Sequence, residues 1–351
     1  MRYGLLLLGE HTPDQLLRLS LYAEHNNFEH IWFADEKFYR DPYASLTFLS
    51  QHTSRIKLGT GVTDPYTRHP AITAMAMATT DEFSSGRGVL GIGAGFSGLE
   101  AMGIERTNVV TKLRESVDII RRLWKGELVT YEGKTVAFHN GSLNFQARPD
   151  IPIAVASAGR QVLRLAGEIA DIIILGDLAS VEVINKALEE VKKGAIKSQR
   201  SLSDLFVATR VNLIISDDKK EAHDAMRPWI TGDLWGVYPN WGSMFTYQPD
   251  WDSSLKPLRD FIESYGGRPR NVGDFKLIER YNNLVTDEMV EDKALVGNIE
   301  NIIEQVVNIA RTGIQEITVY PLPLSDQDAD FVLKVFVEKV LPQVEKRLVQ
   351  Q

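Results

Sequence analysis

The chain has 351 residues, 44% hydrophobic and 25% charged, which supplies a large apolar core and excludes a disordered or collagen-like polymer. Lys and Arg number 39 against 47 Asp and Glu, and the net charge of −8 disfavours nucleic acid as a partner, because phosphate binding needs a basic face. Cysteine is absent, which excludes disulfides, thiolate catalysis, iron–sulfur clusters and most structural zinc sites, so any redox chemistry requires a bound cofactor.

In chain order, the first apolar run is Leu5 to Leu8 inside the strand-like stretch Tyr3 to Leu8. It is far too short for a signal-peptide core or a membrane span, so a cytoplasmic protein with no membrane partner is expected. Pro13 opens a helix that runs to Asn26. A strand at His30 to Ala34 leads to a helix at Tyr43 to His52, and a strand at Ile56 to Val62 leads to a helix at Ala71 to Phe83. Gly88 to Ile92 reads as a strand and Val109 to Trp124 as its helix. After a polar excursion through 127–150 come a strand at Ile153 to Ala156, a helix at Gln161 to Glu168, a strand at Ile172 to Leu175 and a helix at Val181 to Lys197. Phe206 to Ile215 is the next strand, followed by an aromatic, Pro- and Gly-containing stretch through 229–270. A helix at Ile299 to Thr312, stopped by Gly313, a strand at Glu316 to Tyr320 and a helix at Asp326 to Lys346 behind Ser325 close the chain.

Eight strands alternating with helices predict an α/β fold, a TIM (β/α)8 barrel with a parallel sheet. No repeat, low-complexity tract or linker divides the chain, so one domain over 1–351 is expected, with insertions at about 127–150 and 229–270. Loops that long are usually lids or oligomer contacts.

Chemistry in such a barrel sits just past the strand ends. Asp35 follows the second strand as a ligand or proton-handling group, or as a cap for the next turn. Arg68 and His69 lie on the loop into the third helix, where Arg68 serves the site or pairs with a surface acid. Gly93-Ala94-Gly95-Phe96-Ser97-Gly98 matches a dinucleotide fingerprint as a pattern, but it follows the fourth strand instead of the first and lacks the acidic strand end about 20 residues on. Its glycines suit close approach to a flat ligand or a tight turn. Ser157-Ala158-Gly159-Arg160 opens a helix, which makes it a phosphate cradle or an ordinary capped turn. The seven histidines are scattered and no Gly-x-Ser-x-Gly elbow occurs, so neither a metal site nor a hydrolase nucleophile is expected.

The stretch Asp64-Pro65-Tyr66-Thr67-Arg68-His69-Pro70, with Ile56 to Val62 before it and Ser85-Gly86-Arg87 after it, resembles methylenetetrahydromethanopterin reductase and its relatives in the luciferase-like superfamily of flavin and deazaflavin barrels. Phe28 to Asp35, Gly91 to Gly95, Leu165 to Asp171 and Leu284 to Val290 extend the likeness over nearly the whole chain apart from 229–270. The resemblance implies an enzyme, an oxidoreductase that moves a hydride between coenzyme F420 and a small organic substrate; the alternative is an FMN-dependent monooxygenase using reduced flavin and oxygen. It implies a cis peptide between Gly61 and Val62, ring contacts from Gly61, Val62 and Thr63, a cofactor contact from Asp35, flanking by Gly93, Ala94 and Gly95, and phosphate binding at Ser157, Ala158, Gly159 and Arg160. A homodimer is implied as well. Methylenetetrahydromethanopterin reductases carry a carboxylate where this chain has Leu6, a His where it has Glu36 and an acid where it has Phe96. The hydride platform is therefore expected intact and the substrate half changed, with Glu36, Asp35 or His11 left to handle a proton.

Overall fold

The computed structural model describes residues 1–95, 98–267 and 272–350. Eight parallel strands close into a barrel: β1 (Arg2–Leu7), β2 (His30–Phe33), β3 (Lys57–Thr60), β4 (Gly88–Gly93), then, after the hairpin β5 (Val129–Glu132) and β6 (Ala137–Gly141), β7 (Ile153–Ser157), β8 (Ile172–Gly176), β9 (Phe206–Ile215) and, after β10 (Ala294–Gly297), β11 (Glu316–Pro321). β11 pairs with β1 and β8 with β9, which completes the ring. All eight expected barrel strands are present, because each is an apolar run short enough for a strand and bounded by turn residues.

The outer layer comprises α1 (Pro13–His25), α2 (Pro42–Ser50), α3 (Pro70–Phe83), α4 (Val109–Trp124), α5 (Arg160–Ile169), α6 (Val181–Lys197), α7 (Lys219–Val237), α8 (Trp251–Ser254), α9 (Lys256–Tyr265), α10 (Asp287–Glu291), α11 (Ile299–Ala310), α12 (Ala329–Val335) and α13 (Leu341–Val349). Pro13 does open α1, behind a Thr12 and Gln15 capping box. Ser325 does not cap the last helix; Asp328 does, accepting from the Phe331 N–H at 2.7 Å, and a π-turn at Phe336–Val340 separates α12 from α13. Pro342 follows two residues past that turn and has no N–H to continue a regular ladder.

The two interruptions are structured. Residues 127–150 carry the β5–β6 hairpin, half-exposed along much of its length. The 229–270 stretch begins inside α7, a 19-residue helix that tolerates Pro228, and its residues 268–270 lie outside the described part. α7 to α10 gather an apolar cluster of their own around Trp235, whose ring meets Phe261, Tyr265 and Phe275 edge-on at 5.6, 4.9 and 6.4 Å. β10 was not foreseen. It pairs with the outer half of β9, Asn212 to Ile215, while β8 pairs with the inner half, Phe206 to Arg210.

Inside the barrel, Leu6, Trp32, Ala34, Val89, Ala154, Ile172, Ile174 and Tyr320 pack together, with Val62 and Leu8 against them. On its floor lies a buried polar group. Glu316 binds His30 Nδ1 at 2.5 Å and accepts from the Trp32 indole N–H at 3.2 Å and the Thr318 hydroxyl at 2.8 Å. Gly4 makes the room, since a Cβ there would stand 2.6 Å from Glu316 Oε1. Burial alone would raise the Glu316 carboxyl, but His30 and these donors hold it below the usual glutamate range.

Candidate active site

The strand ends of β2, β3 and β4 build a shelf. β3 leaves the barrel at Thr60, and the next peptide, Gly61–Val62, is cis as the resemblance implied. Thr63 then returns to the sheet, donating its N–H to Gly91 O at 2.9 Å and accepting from the Gly93 N–H at 2.9 Å. The glycines of β4 are explained by this approach and not by a dinucleotide. A Cβ on Gly91 would stand 1.9 Å from Thr60 O, and one on Gly93 would stand 2.7 Å from Val62 Cγ2. Gly95 has φ +67, and Ala94 is partly exposed beside it. Phe96 and Ser97 lie outside the described residues.

Beside the shelf sits a charge network. Asp35 Oδ2 accepts from the Thr63 hydroxyl at 2.7 Å and has Arg68 Nε 3.6 Å away, while Oδ1 lies 3.1 Å from Lys37 Nζ. Lys37 also reaches Asp64 Oδ2 at 2.8 Å, and Arg68 pairs with Asp41 and lies over the Tyr43 ring. Both Asp35 oxygens are therefore taken, so this carboxylate organises the loop and does not cap a turn. Burial opposes the charge on Asp64, but Lys37 and the Thr67 and Tyr66 N–H groups outweigh it and hold its carboxyl below the usual aspartate range. Arg68 thus joins the site, whereas His69 is the N-cap of α3 and accepts from the Ala71 N–H at 3.2 Å.

Glu36 is partly exposed, and no hydrogen bond or ion pair engages its carboxylate among the described residues. Lys37, its neighbour in the chain, is committed to Asp35 and Asp64. His11 is partly buried on the β1 loop, and burial lowers its pKa, against the pull of Glu10 and Asp330. Next to the shelf, since β7 pairs with β4, the Ser157 hydroxyl accepts from the Gly159 N–H at 2.8 Å, and Gly159 is the N-cap of α5 with no side chain satisfying the helix donors. A Cβ on Gly159 would meet nothing closer than Ser157 Oγ at 3.4 Å, so this cradle is open. The Arg160 guanidinium leans on the Phe245 ring at 4.7 Å.

Sequence reasoning missed a polar wall formed by distant segments. Arg210 of β9 pairs with Asp177, just past β8, and Lys293, just before β10, pairs with Asp233 of α7 at 2.6 Å. Lys293 is buried, yet Asp233 and Asp177 hold its ammonium above the usual lysine range against the cost of burial. A surface concavity of about 560 Å³ lies elsewhere, on α11 and α13 around Glu304, Arg311 and Arg347.

The family model for luciferase-like monooxygenases matches residues 1–316. The chain belongs to that family. Within it, the chain is 30% identical to the 5,10-methylenetetrahydromethanopterin reductase of Methanolobus tindarius, over 87% of this chain and 90% of the relative, and 29% identical to that of Archaeoglobus fulgidus over 90% and 92%. It is also 31% identical to the F420-dependent glucose-6-phosphate dehydrogenase of Nakamurella multipartita over 65% of this chain and 72% of the relative. The solved coenzyme F420 dependent tetrahydromethanopterin reductase of Methanopyrus kandleri superposes with a TM-score of 0.79 at 26% identity, covering 98% of this chain and 99% of that one. The closed parallel barrel found here superposes on that solved reductase over nearly its full length, so the expected TIM-barrel fold stands.

Proposed function

We propose that the open end of this barrel binds coenzyme F420 and that the enzyme exchanges a hydride with a small organic substrate. The observation that carries the reading is the Gly61–Val62–Thr63 shelf, packed so closely on the β4 glycines that a Cβ there would press on Thr60 O or Val62, beside an open helix N-terminus at Ser157 to Arg160. The two features suit the two ends of such a cofactor. Val62, flanked by Gly93, Ala94 and Gly95, would support a flat ring system, and the uncapped N–H groups and positive dipole of α5 would hold an anionic phosphate. The relatives named above, F420-dependent by their own description or reductases of a methanopterin, support the same assignment.

When bound, the deazaflavin supplies hydride chemistry, and the protein supplies placement. Asp35, fixed by Thr63, Lys37 and Arg68, keeps the shelf loop in register and presents a fixed negative edge to the cofactor. Leu6 and Leu8 give the floor an apolar lining that excludes water. We also infer a homodimer, supported by the exposed stripe Ile72, Met75 and Phe83 on α3; among the described residues no helix is long and apolar enough to cross a membrane.

Titration of the purified chain with F420 and with FMN, followed by fluorescence quenching, tests the cofactor. F420 should bind and FMN should bind far more weakly; the reverse order would replace this reading with a reduced-flavin monooxygenase. Oxidation of reduced F420, followed at 420 nm with methylenetetrahydromethanopterin, glucose 6-phosphate and simple ketones offered in turn, then identifies the acceptor.

A further inference from the structure

The mouth contains many charged groups, but nearly all are committed to one another. Asp35 is held by Lys37, Thr63 and Arg68, Arg210 by Asp177, and Lys293 by Asp233. The inward-facing layer around β1, β2 and β11 is otherwise apolar, made of Leu6, Leu8, Trp32, Ala34 and Val62. One phenol interrupts it. Tyr320 is 2% exposed, and since β1 and β11 pair with Leu5 opposite Val319, it stands beside Leu6 in the same layer. Its hydroxyl donates to Glu10 Oε1 at 2.7 Å, although 310 residues separate them. Glu10 is exposed, so the phenol is buried at one end and joined to solvent through a carboxylate at the other. Trp229 of α7 covers the ring edge-on at 6.1 Å, and Arg40 holds the Glu10 loop through Gly9 O at 2.7 Å and Glu10 O at 3.2 Å.

We propose that Tyr320, relayed by Glu10, is the proton donor to a substrate bearing a polarised C=O or C=N bond, which makes Tyr320 a catalytic residue. The inference rests on the hydride-transfer reading above. In the reduction, a C–H bond forms at the substrate carbon with the hydride and its electron pair from the reduced deazaflavin, whose remaining ring proton leaves to solvent. The C=X π bond opens toward the heteroatom, which takes the Tyr320 proton once the hydroxyl has turned from Glu10 toward it and the O–H bond breaks. Glu10 then passes a solvent proton back to the phenolate. Burial and the Glu10 charge raise the phenol pKa, so it remains protonated at neutral pH, ready to donate to the still more basic alkoxide or amide that develops.

The test uses the full chain loaded with F420 and the acceptor found at 420 nm, comparing wild type with Tyr320→Phe, Glu10→Gln and Glu36→Gln. Tyr320→Phe should lower kcat about 10²–10⁴-fold with KM within roughly threefold, and Glu10→Gln, an exposed change that leaves the fold intact, should lower kcat less while altering the solvent deuterium isotope effect. In protein labelled with [13Cζ]tyrosine, the resonance lost in Tyr320→Phe should shift when acceptor is added to oxidised, F420-loaded wild type. Retained kcat in Tyr320→Phe, or loss confined to Glu36→Gln, overturns the proposal while leaving hydride transfer standing. A wild type that oxidises reduced F420 with no acceptor removes the parent reading and Tyr320's role with it.

Discussion

The fit between Val62 and Gly93 sets the height of the shelf, and Gly93→Ala tests it. The new Cβ would stand 2.7 Å from Val62 Cγ2 and 3.2 Å from Ala156 O. Carbon atoms prefer about 3.5–4.0 Å, so Val62 must withdraw by roughly 1 Å, since the other contact is backbone of β7 and cannot yield as easily. Overpacking of this kind costs about 1–3 kcal/mol of stability, and a displacement of about 1 Å at a reacting centre costs on the order of 10²-fold in rate. The expected outcome is a variant that folds with a modestly lower Tm, binds F420 at least tenfold more weakly, and loses reduced-F420 oxidation by roughly two orders of magnitude. Thermal melting, F420 fluorescence titration and the 420 nm assay measure the three quantities on one preparation. A Gly93→Ala protein with wild-type affinity and rate would refute the claim that Val62 supports the ring.

Lys37→Met should weaken F420 binding by more than its effect on Tm suggests, because it frees Asp35 and Asp64 to repel each other beside the shelf; calorimetric titration beside a melt shows whether the two effects separate. Glu316→Ala should cost about 3–5 kcal/mol in denaturant unfolding, since it strips partners from His30, Trp32 and Thr318 at once. Because the folded-state pKa of Glu316 is depressed, its contribution is fully present above the ordinary value of 4.5 and lost as pH falls through the lower folded value. The wild-type Tm should therefore fall more steeply with acid below pH 4.5 than that of Glu316→Gln, and parallel curves would contradict the assignment. Met75→Glu on α3 should convert a dimer to monomer in light scattering without lowering Tm by more than a few degrees, and an unchanged mass would rule out α3 as the contact.

Much of this molecule can be read from local pattern. The barrel strands are apolar runs such as Ile172 to Leu175, and helices such as α4 carry one apolar face, so both announce themselves within a short window. β10 does not, because Ala294 to Gly297 is only four residues long and its apolar character matches a helix turn as well as a strand. The start of α7 was hidden by a polar first turn and by Pro228 in its interior. The shelf was visible through its glycines and family likeness, although the reason for those glycines, the contacts with Thr60 and Val62, appears only in three dimensions. Polar contacts between distant segments carry no local signal: Arg210 meets Asp177 across 33 residues, and Tyr320 meets Glu10 across 310, so neither could be matched along the chain.

β9 divides its edge between β8 at the base and β10 at the rim, and around the ring it stands four strands from β3 in either direction. The wall facing the shelf is thus stitched by backbone hydrogen bonds to the α7–α10 excursion instead of being merely covered by it. Sequence drift in that excursion would reshape the far side of the mouth while the near side kept its contour. Such a division of labour lets one half of the opening diversify toward new acceptors while the Val62 shelf keeps its contacts, with Phe245 against Arg160 as the point where the excursion touches the opposite half.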